Sequence, residues 1–525
     1  MEKDASQSGR DMKNEPLTRQ ALGRVSFMGS LYNVLNDSFV PGTPTVMLTP
    51  KRIRLFYSDK AVTKLNGEEY HVEYSSEDSF KSKADSLGVD SNLQISLQAG
   101  ACSFELSGSA KFLSRNKESN KTASASLTVR LLTAKESVNV YSKEIMLTKG
   151  CDGGINLDVL QEGLGTHVVV GIQWGANVVV RFSTTTKSEE AAREIQGQLG
   201  VKANMAGIKM GGGGATGGRF EDKIESFFNS FQFTVDGDVQ PPESLPQNMT
   251  EALEFLRQVP KLTKNVNGGK GKPIAYELYP IARLVRDSSH ASAVQCVVRS
   301  LDETFTARVQ EAFDELHRAK RLFSDKFAEV EILADVLDEK VRTSFLKQKE
   351  ELARKEIAFK NEIKVALVDF RSGKSSEDLI GRVLDAFQKN PCSEKNVREF
   401  LEKQIPKGSV IQDSINFYLL LRERGVRYLK QSETLQTELF RREGNAVYVL
   451  FIDPQMATKD LDAYLKQHQM FFNLIKEKEE ASFLVLDVSL HKKVSVHKKY
   501  KKDGTSPCII CYLNGVGKEV RSDDD

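Results

Sequence analysis

Three stretches of this 525-residue chain carry residue types that could do chemistry. Gly212, Gly214 and Gly217 fit the spacing G-x-G-x-x-G, in which glycine lets the backbone approach a pyrophosphate at a helix N-terminus. That use needs a buried strand just upstream, and the residues there include Lys202, Asn204 and Lys209, too polar for the core of a parallel sheet. A Walker-type phosphate loop fails as well, because Arg219-Phe220 stands where Lys and then Ser or Thr are required. The glycines read as a flexible loop or a hairpin tip, and no nucleotide is expected.

Cys508 and Cys511 have the C-x-x-C spacing of a redox pair. A reactive thiol there needs a helix N-terminus, whose dipole lowers its pKa, whereas Cys508-Ile509-Ile510-Cys511 reads as a strand with its sulfurs on opposite or skewed faces. Lys492 to Lys502 holds six lysines and a histidine around Tyr500, which suits a solvated loop or a contact with anionic head groups. The sequence therefore predicts no enzyme, no metal and no cofactor.

Bulk properties narrow the class. Length suggests about three or four domains. Lys plus Arg number 74 against 72 Asp plus Glu, a formal charge of +2, so no nucleic-acid partner is expected. Six cysteines are too few for a disulfide framework in so long a chain. The N-terminus is charged with no apolar run behind it, and no window approaches the roughly 18 apolar residues of a membrane-spanning helix. The expectation is a soluble protein, cytoplasmic when made. Sequons at Asn120 and Asn248 read as chance.

The elements must then be organised around Gly163 to Phe182, the densest β-branched run in the chain, which predicts a long buried strand. Gly163, Gly165, Gly171 and Gly175 interrupt it, each costing roughly 0.5 to 1 kcal/mol against alanine. Either other backbone packs closely there at a bulge, or the strand is built to bend. Two ambiguous segments flank it. Leu93, Ile95, Leu97, Ala99 and Ala101, then Phe104, Leu106, Gly108, Ala110 and Phe112, alternate with period 2, while Ser76 to Gly88 looks more helical. In the second segment Ser188 to Leu199 reads as a helix, Leu199, Val201, Ala203 and Met205 alternate, Phe220, Ile224, Phe227 and Phe231 have helical spacing, and Phe231, Phe233 and Val235 alternate. Satisfying both periods suits a segment that refolds.

Particular residues then carry a resemblance. Ala21-Leu22-Gly23-Arg24, F-x-x-G-x-L-Y from Phe27 to Tyr32, Asn36-Asp37 and Pro41-Gly42 are similar to the opening of the stonustoxin and verrucotoxin family of fish-venom cytolysins, related to the perforin and cholesterol-dependent cytolysin superfamily. Gly165-Thr166-His167 resembles the superfamily signature, and Glu194-Ile195-Gln196-Gly197-Gln198 and Arg371-Ser372-Gly373 extend the similarity. The resemblance implies a bent, twisted antiparallel sheet with two flanking helical clusters that unwind into β-hairpins, many copies closing a barrel in a lipid membrane. It assigns Gly165, Gly171 and Gly175 as hinge, Thr166 and His167 as signature, and segments 76–116 and 187–230 as inserting. The membrane-facing candidates are Leu93, Ile95, Leu97, Phe104, Leu106, Phe112, Leu199, Val201, Ala203, Met205, Phe227 and Phe231. Partners are a membrane, a ring of like subunits and a second homologous subunit, with export by a non-classical route.

Along the chain, residues 1–18 look disordered and Ala21 to Gly42 reads as an entry helix or turn. Residues 19–287 form the MACPF/CDC-like domain, 288–391 a helical bundle of focal-adhesion-targeting type, and 392–525 a thioredoxin-like α/β domain without its redox motif, Asp453-Pro454-Gln455-Met456 occupying that place and Ser506-Pro507 resembling the proline before the fourth strand. In the bundle Gly373 ends one helix and Ser375 with Asp378 resembles a capping box for the next. Venom members add a PRY-SPRY domain that this chain lacks, so recognition is expected to be absent or delegated to a partner. The alternative is a non-lytic binding or immune-scaffold protein that keeps the fold.

Overall fold

The computed structural model describes residues 11–12, 15–44, 46–49, 52–55, 59–76, 79–102, 107–115, 119–142, 165–205, 227–240, 244–284, 298–332, 339–406, 410–430, 433–452, 461–488 and 508–520. The chain forms two compact units, 1–321 with 354–394, and 322–353 with 395–525. Phe104, Leu106, Gly212 to Gly217, Asp453 to Met456, Lys492 to Lys502 and Ser506-Pro507 lie outside the described residues.

The strands of the first unit are β1 (Asp11–Met12), β2 (Leu17–Gln20), β3 (Ser30–Asn33), β4 (Ser38–Pro44), β5 (Val46–Thr49), β6 (Arg52–Leu55), β7 (Val62–Ser75), β8 (Thr122–Val138), β9 (His167–Thr185), β10 (Gln232–Gly237), β11 (Lys272–Pro280) and β12 (Val298–Arg299). β1 pairs with β12 and β2 with β11, so part of the tail expected over 1–18 is held in sheets. β9 is the spine: β8 runs antiparallel along one side of it, with β3 pairing beyond the end of β8 on that same side, and β10 and β11 share the other. β7 pairs beyond β8. The triplets Val168–Val170 and Val178–Val180 explain the spine, since branched side chains pack well on a sheet covered on both faces.

No entry helix forms over 21–42. Leu22 and Gly23 both take positive φ, at 49° and 75°, and turn the chain into β3.

The helices of the first unit are α1 (Phe80–Ser86), α2 (Ser91–Gln98), α3 (Lys111–Ser114), α4 (Glu189–Met205), α5 (Met249–Thr263) and α6 (Ile281–Leu284), with parts of α7 (Glu303–Ile332) and α8 (Glu339–Arg371), and α9 (Glu377–Phe387). The period-2 alternation of Leu93, Ile95 and Leu97 does not mark a surface sheet: they lie on α2, whose N-cap Asp90 accepts the Leu93 N–H at 3.2 Å. Gln94 and Ser96 are as buried as the leucines, so the polar positions mark no wet face here. Likewise α4 runs on through Val201, Ala203 and Met205, where alternation predicted a strand. The cap of α9 is Ser376, one residue beyond the expected Ser375.

α1, α2 and α3 share a core with Val179 on one face of the sheet, including Phe80, Leu93, Leu97 and Phe112. Ala176, Val178, Val180 and Phe182 point to the opposite face, where Leu199 of α4, Phe228, Phe231 and the apolar side of α5 close a second core. This is an α+β architecture with helical clusters flanking an antiparallel sheet.

The second unit contains α10 (Glu394–Gln404) from Lys395 onward, α11 (Val410–Glu423), α12 (Leu435–Phe440) and α13 (Leu461–Glu477), with β13 (Arg427–Tyr428), β14 (Val447–Ile452), β15 (Ser482–Asp487), β16 (Cys508–Leu513) and β17 (Val516–Val520). The sheet order is β13-β15-β14-β16-β17, with β13, β14 and β15 parallel and β16 antiparallel to both neighbours. Asn514 and Gly515 take φ of 49° and 80°, the geometry of a two-residue hairpin turn. Among the described residues no helix is long and apolar enough to cross a membrane.

Candidate functional site: a line of bulges and two anchored helical segments

Three of the register breaks fall in one row across the sheet, while β11 has another between Glu277 and Leu278 and β3 one between Ser30 and Tyr32. β8 inserts Thr133 opposite the Trp174–Gly175 step of β9. In the same row β7 breaks between Asn66 and Glu69, facing Ala134 and Leu132, and β11 breaks between Pro273 and Ala275, facing Trp174 and Gln173. Bulges bend a strand and increase its twist, so a row of them is a line along which the whole sheet bends. Gly175 belongs on that line because a Cβ would overlap the Leu131 carbonyl. Gly271, at φ +80°, is needed for the same reason against the Gly175 carbonyl. At Gly175 the close backbone packing expected of the glycine-interrupted strand is found.

Side chains brace the row. The Thr133 hydroxyl is within reach of the carbonyls of Trp174 (3.0 Å) and Lys270 (2.5 Å). The Lys270 ammonium lies 2.8 Å from Glu136 and 5.4 Å from the Trp174 ring centre, while the indole N–H donates to Glu136 at 3.0 Å. Burial would raise the Glu136 carboxyl, but the Lys270 and Trp174 contacts more than offset it and hold it below its ordinary value.

The other predicted glycines do different work. A Cβ at Gly171 would stand 2.5 Å from Glu277 Oε2, a side chain that can move, and one at Gly165 would stand 3.1 Å from Leu31 Cβ. Thr166 ties the start of β9 to β3: its N–H donates to the Tyr32 carbonyl at 2.9 Å, its hydroxyl accepts the Val34 N–H at 3.0 Å, and its carbonyl accepts the Ile281 N–H at 3.1 Å. His167 places Nδ1 2.9 Å from the Thr166 hydroxyl. Burial pushes its pKa down to about 4 against the opposing pull of the Glu15 backbone, so the ring is neutral at pH 7.

The first helical segment is held by buried charge. Asp37 is fully buried at φ +51°, with Arg19 Nε at 3.1 Å and Arg371 Nη1 at 2.8 Å, both guanidiniums nearly inaccessible as well. Arg19 also reaches Asp90 at 3.0 Å, Arg371 donates to the Asn92 carbonyl at 3.1 Å, and Ser96 donates to Asp37 at 2.5 Å. α2 is therefore gripped at Asp90, Asn92 and Ser96. Burial raises the Asp37 carboxyl, but Arg371, Arg19 and the Ser96 hydroxyl overcome that and hold it well below the usual carboxylate range. At the other end of the segment Asp238 accepts the Ser109 hydroxyl at 2.8 Å and the Asn177 N–H at 3.1 Å, and Asp236 receives Arg115. Burial raises the Asp238 pKa despite those hydrogen bonds. Gln310 of α7 donates to Gln94 at 2.9 Å.

The second segment is held by apolar contact. Leu199 is fully buried, and Phe182 has Phe228, Phe231 and Phe233 around it at 5.6, 6.1 and 5.8 Å between ring centres. Phe227 is half-buried, whereas Val201 is 59% exposed. Ala203 and Met205 lie on α4.

The structure brings Gly175 to the bend line, buries Leu93, Leu97, Phe112, Leu199 and Phe231 under the sheet faces, and buries Ile95 as well. Sequence reasoning missed Thr133, Gly271 and the Glu136–Trp174–Lys270 brace. It noted Asn36-Asp37 and Arg371 for their resemblance alone, with no sign that they meet. Among the described residues no group of three or more His, Cys, Asp and Glu could hold a metal ion, and Cys508 and Cys511 both lie within β16.

An antiparallel sheet with a bend line and a helical cluster on each face defines the MACPF/CDC-like fold. The chain belongs to the SNTX MACPF/CDC-like family, whose domain model matches residues 16–308, more than half of it. A domain of unknown function matches residues 420–523. Cytolytic toxin-alpha of Scorpaena plumieri is 22% identical over 434 residues, covering 82% of this chain and 57% of the toxin. Neoverrucotoxin subunit alpha of Synanceia verrucosa is 24% identical over 397 residues, covering 74% and 51%. The chain thus spans about half the length of the curated relatives it matches. The stonustoxin structure superposes with a TM-score of 0.57 at 15% identity, covering 96% of this chain and 69% of that one.

Proposed function

We propose that the chain is a pore-forming, cytolysin-like protein whose copies assemble on a membrane and unfurl residues 76–116 and 187–230 into β-hairpins of a shared barrel. The observation that carries this reading is topological. α1, α2 and α3 connect β7 to β8, and α4 lies between β9 and β10; each pair is antiparallel and adjacent, so each segment is already the loop of a hairpin. Ser75 faces Ser126, Thr122 faces Thr185 and Gln232 faces Ser183, so both hairpins open at the same end of the sheet. Either segment is long enough for two membrane strands of about 9 to 11 residues. Helix-to-strand conversion therefore lengthens hairpins that exist, with no strand changing neighbours. Two hairpins cannot close a barrel, and open edges are costly in lipid, which requires a ring of subunits. Cytolytic relatives support the same activity.

The second unit is inferred to be a scaffold of thioredoxin-like type, supported by its strand order and the antiparallel β16.

Dye release from vesicles tests the proposal, together with a reversible lock. Ser75 and Ser82 have their hydroxyl oxygens 2.6 Å apart, close enough for cysteines at both positions to form a disulfide. A strand would carry those positions roughly 20 Å apart. The oxidised Ser75→Cys/Ser82→Cys chain is expected to release no dye and to recover on reduction. Release unaffected by the oxidised lock, or no release from the wild-type chain on any lipid mixture, refutes the proposal.

A further inference from the structure

We propose that Gln196 is a latch that makes departure of the second helical segment a precondition for growth of the first hairpin, a regulation that rests on the refolding proposed above. Its side chain does what a neighbouring strand would do. Gln196 Oε1 accepts the Ser124 N–H at 3.0 Å, and Nε2 donates to the Ser124 carbonyl at 2.9 Å. That is the exchange made by two directly opposed, hydrogen-bonded residues of an antiparallel ladder. The same Nε2 also donates to the carbonyl of Ser76, the residue that follows β7.

Register gives the position its meaning. β7 accompanies β8 as far as Ser75 opposite Ser126, whereas β9 accompanies β8 on its other side as far as Thr122 opposite Thr185. Backbone groups on one side of a strand recur every second residue, so the N–H and C=O of Ser124 form the next rung that β7 meets in lengthening. Gln196 occupies that rung. Left open, the rung would be an unpaired sheet edge, which the amide covers for as long as α4 stays helical.

α4 is built to leave. Ile195 and Leu199 hold it to the core beside Gln196, so lifting this turn withdraws the amide with them. A Cβ at Gly197 or Gly200 would meet nothing within 4 Å. Packing does not require either glycine, and both weaken the helix. α1 and α2, in contrast, cannot feed residues into β7 until the amide has gone.

Two variants separate hydrogen bonding from packing. Gln196→Met keeps the length of the side chain without its donor and acceptor, and Gln196→Glu sets a carboxylate against the Ser124 and Ser76 carbonyls. In solution the Ser124 amide of the full chain is expected to exchange hydrogen roughly tenfold faster in both variants than in the wild type. On mixing with phosphatidylcholine–cholesterol vesicles, pulsed exchange read by mass spectrometry is expected to find residues 189–205 opening before 80–98 in the wild type, with that delay lost in both variants. Opening of 80–98 first in the wild type, or at equal rates in all three chains, overturns the latch and leaves the pore reading standing. An effect of Gln196→Glu with none of Gln196→Met also overturns it, since charge and not the lost pairing would then be responsible. Vesicles that leave both segments of the wild-type chain protected overturn the pore reading and this role together.

Discussion

The segments between β7 and β8 and between β9 and β10 connect neighbouring strands at the same end of the sheet, yet their described parts are held by different forces. Buried Asp37, Asp238 and Asp236 grip the first through Ser96, Arg19, Arg371, Ser109 and Arg115. Leu199 and a ring of phenylalanines around Phe182 hold the second, with Gln196 as a polar contact to the sheet. The difference matters beside a membrane. Lipid chains can replace the contacts of Leu199 and Phe228, because hydrocarbon is hydrocarbon, but they offer nothing to a guanidinium parted from its carboxylate. Under the proposed mechanism, the second segment is the one a membrane would loosen.

The largest expected effect breaks the polar side of this comparison. Asp37→Asn leaves the guanidiniums of Arg19 and Arg371 buried without their counter-charge, which costs about 3–5 kcal/mol. Urea unfolding followed by exchange in residues 91–98 should register that loss, with residues 189–205 affected much less. A change under about 1 kcal/mol would mean that water already screens the cluster. Because the folded Asp37 carboxyl lies below its ordinary value, its contribution is present above that value and is lost only as pH falls through the lower one. Mild acid should leave this anchor intact.

Next in size is the bend line. Gly175→Ala drives a methyl group into the Leu131 carbonyl, a backbone atom that cannot swing aside, and overpacking of that kind costs about 1–3 kcal/mol. At Gly171 the nearest atoms belong to the Glu277 side chain, whose carboxylate can swing aside although its Cβ at 3.0 Å is tight, so Gly171→Ala should cost less. Thermal melts of the two variants compare them directly, and equal shifts would remove Gly175 from its special place.

Asp238 sharpens the comparison through pH. Burial raises its pKa above the ordinary 3.8, so the native state keeps a proton that the unfolded chain has lost. The sign follows: its contribution is full below 3.8 and declines as pH rises through the folded value. The stability difference between wild type and Asp238→Asn, measured from pH 3 to 7, is expected to shrink with rising pH. A difference that grows would show that the hydrogen bonds from Ser109 and Asn177 outweigh burial.

These effects also mark what the sequence could disclose. β9 was legible because its valines state their preference locally, and so was the Cys508 to Cys511 strand of β16. The alternation from Leu93 to Leu97 hid the helix α2, because as a surface sheet period 2 implies a wet face, and Gln94 and Ser96 are buried. Asp37 could not be recognised at all: its partners stand at positions 19, 96 and 371, and only the folded chain buries them together. Thr133 and Gly271 were hidden for a related reason, since a bulge belongs to the register between strands and leaves no pattern in any one of them.

The smallest expected effect has the opposite sign. Helix interiors favour alanine over glycine by about 0.8–1 kcal/mol, and at Gly197 and Gly200 a Cβ has open space around it. Gly197→Ala and Gly200→Ala should therefore stabilise α4, where the same change at Gly175 destabilises the sheet. In solution the exchange of residues 189–205 should slow about fivefold for each. On vesicles the stronger helix should delay dye release while leaving its final extent unchanged, since the barrel strands proposed to form afterwards would tolerate alanine. Faster release from either variant would mean that these glycines ease the helix-to-strand step in some way other than weakening the helix, and the contrast between a charge-locked first segment and a loosely wound second one would lose half its basis.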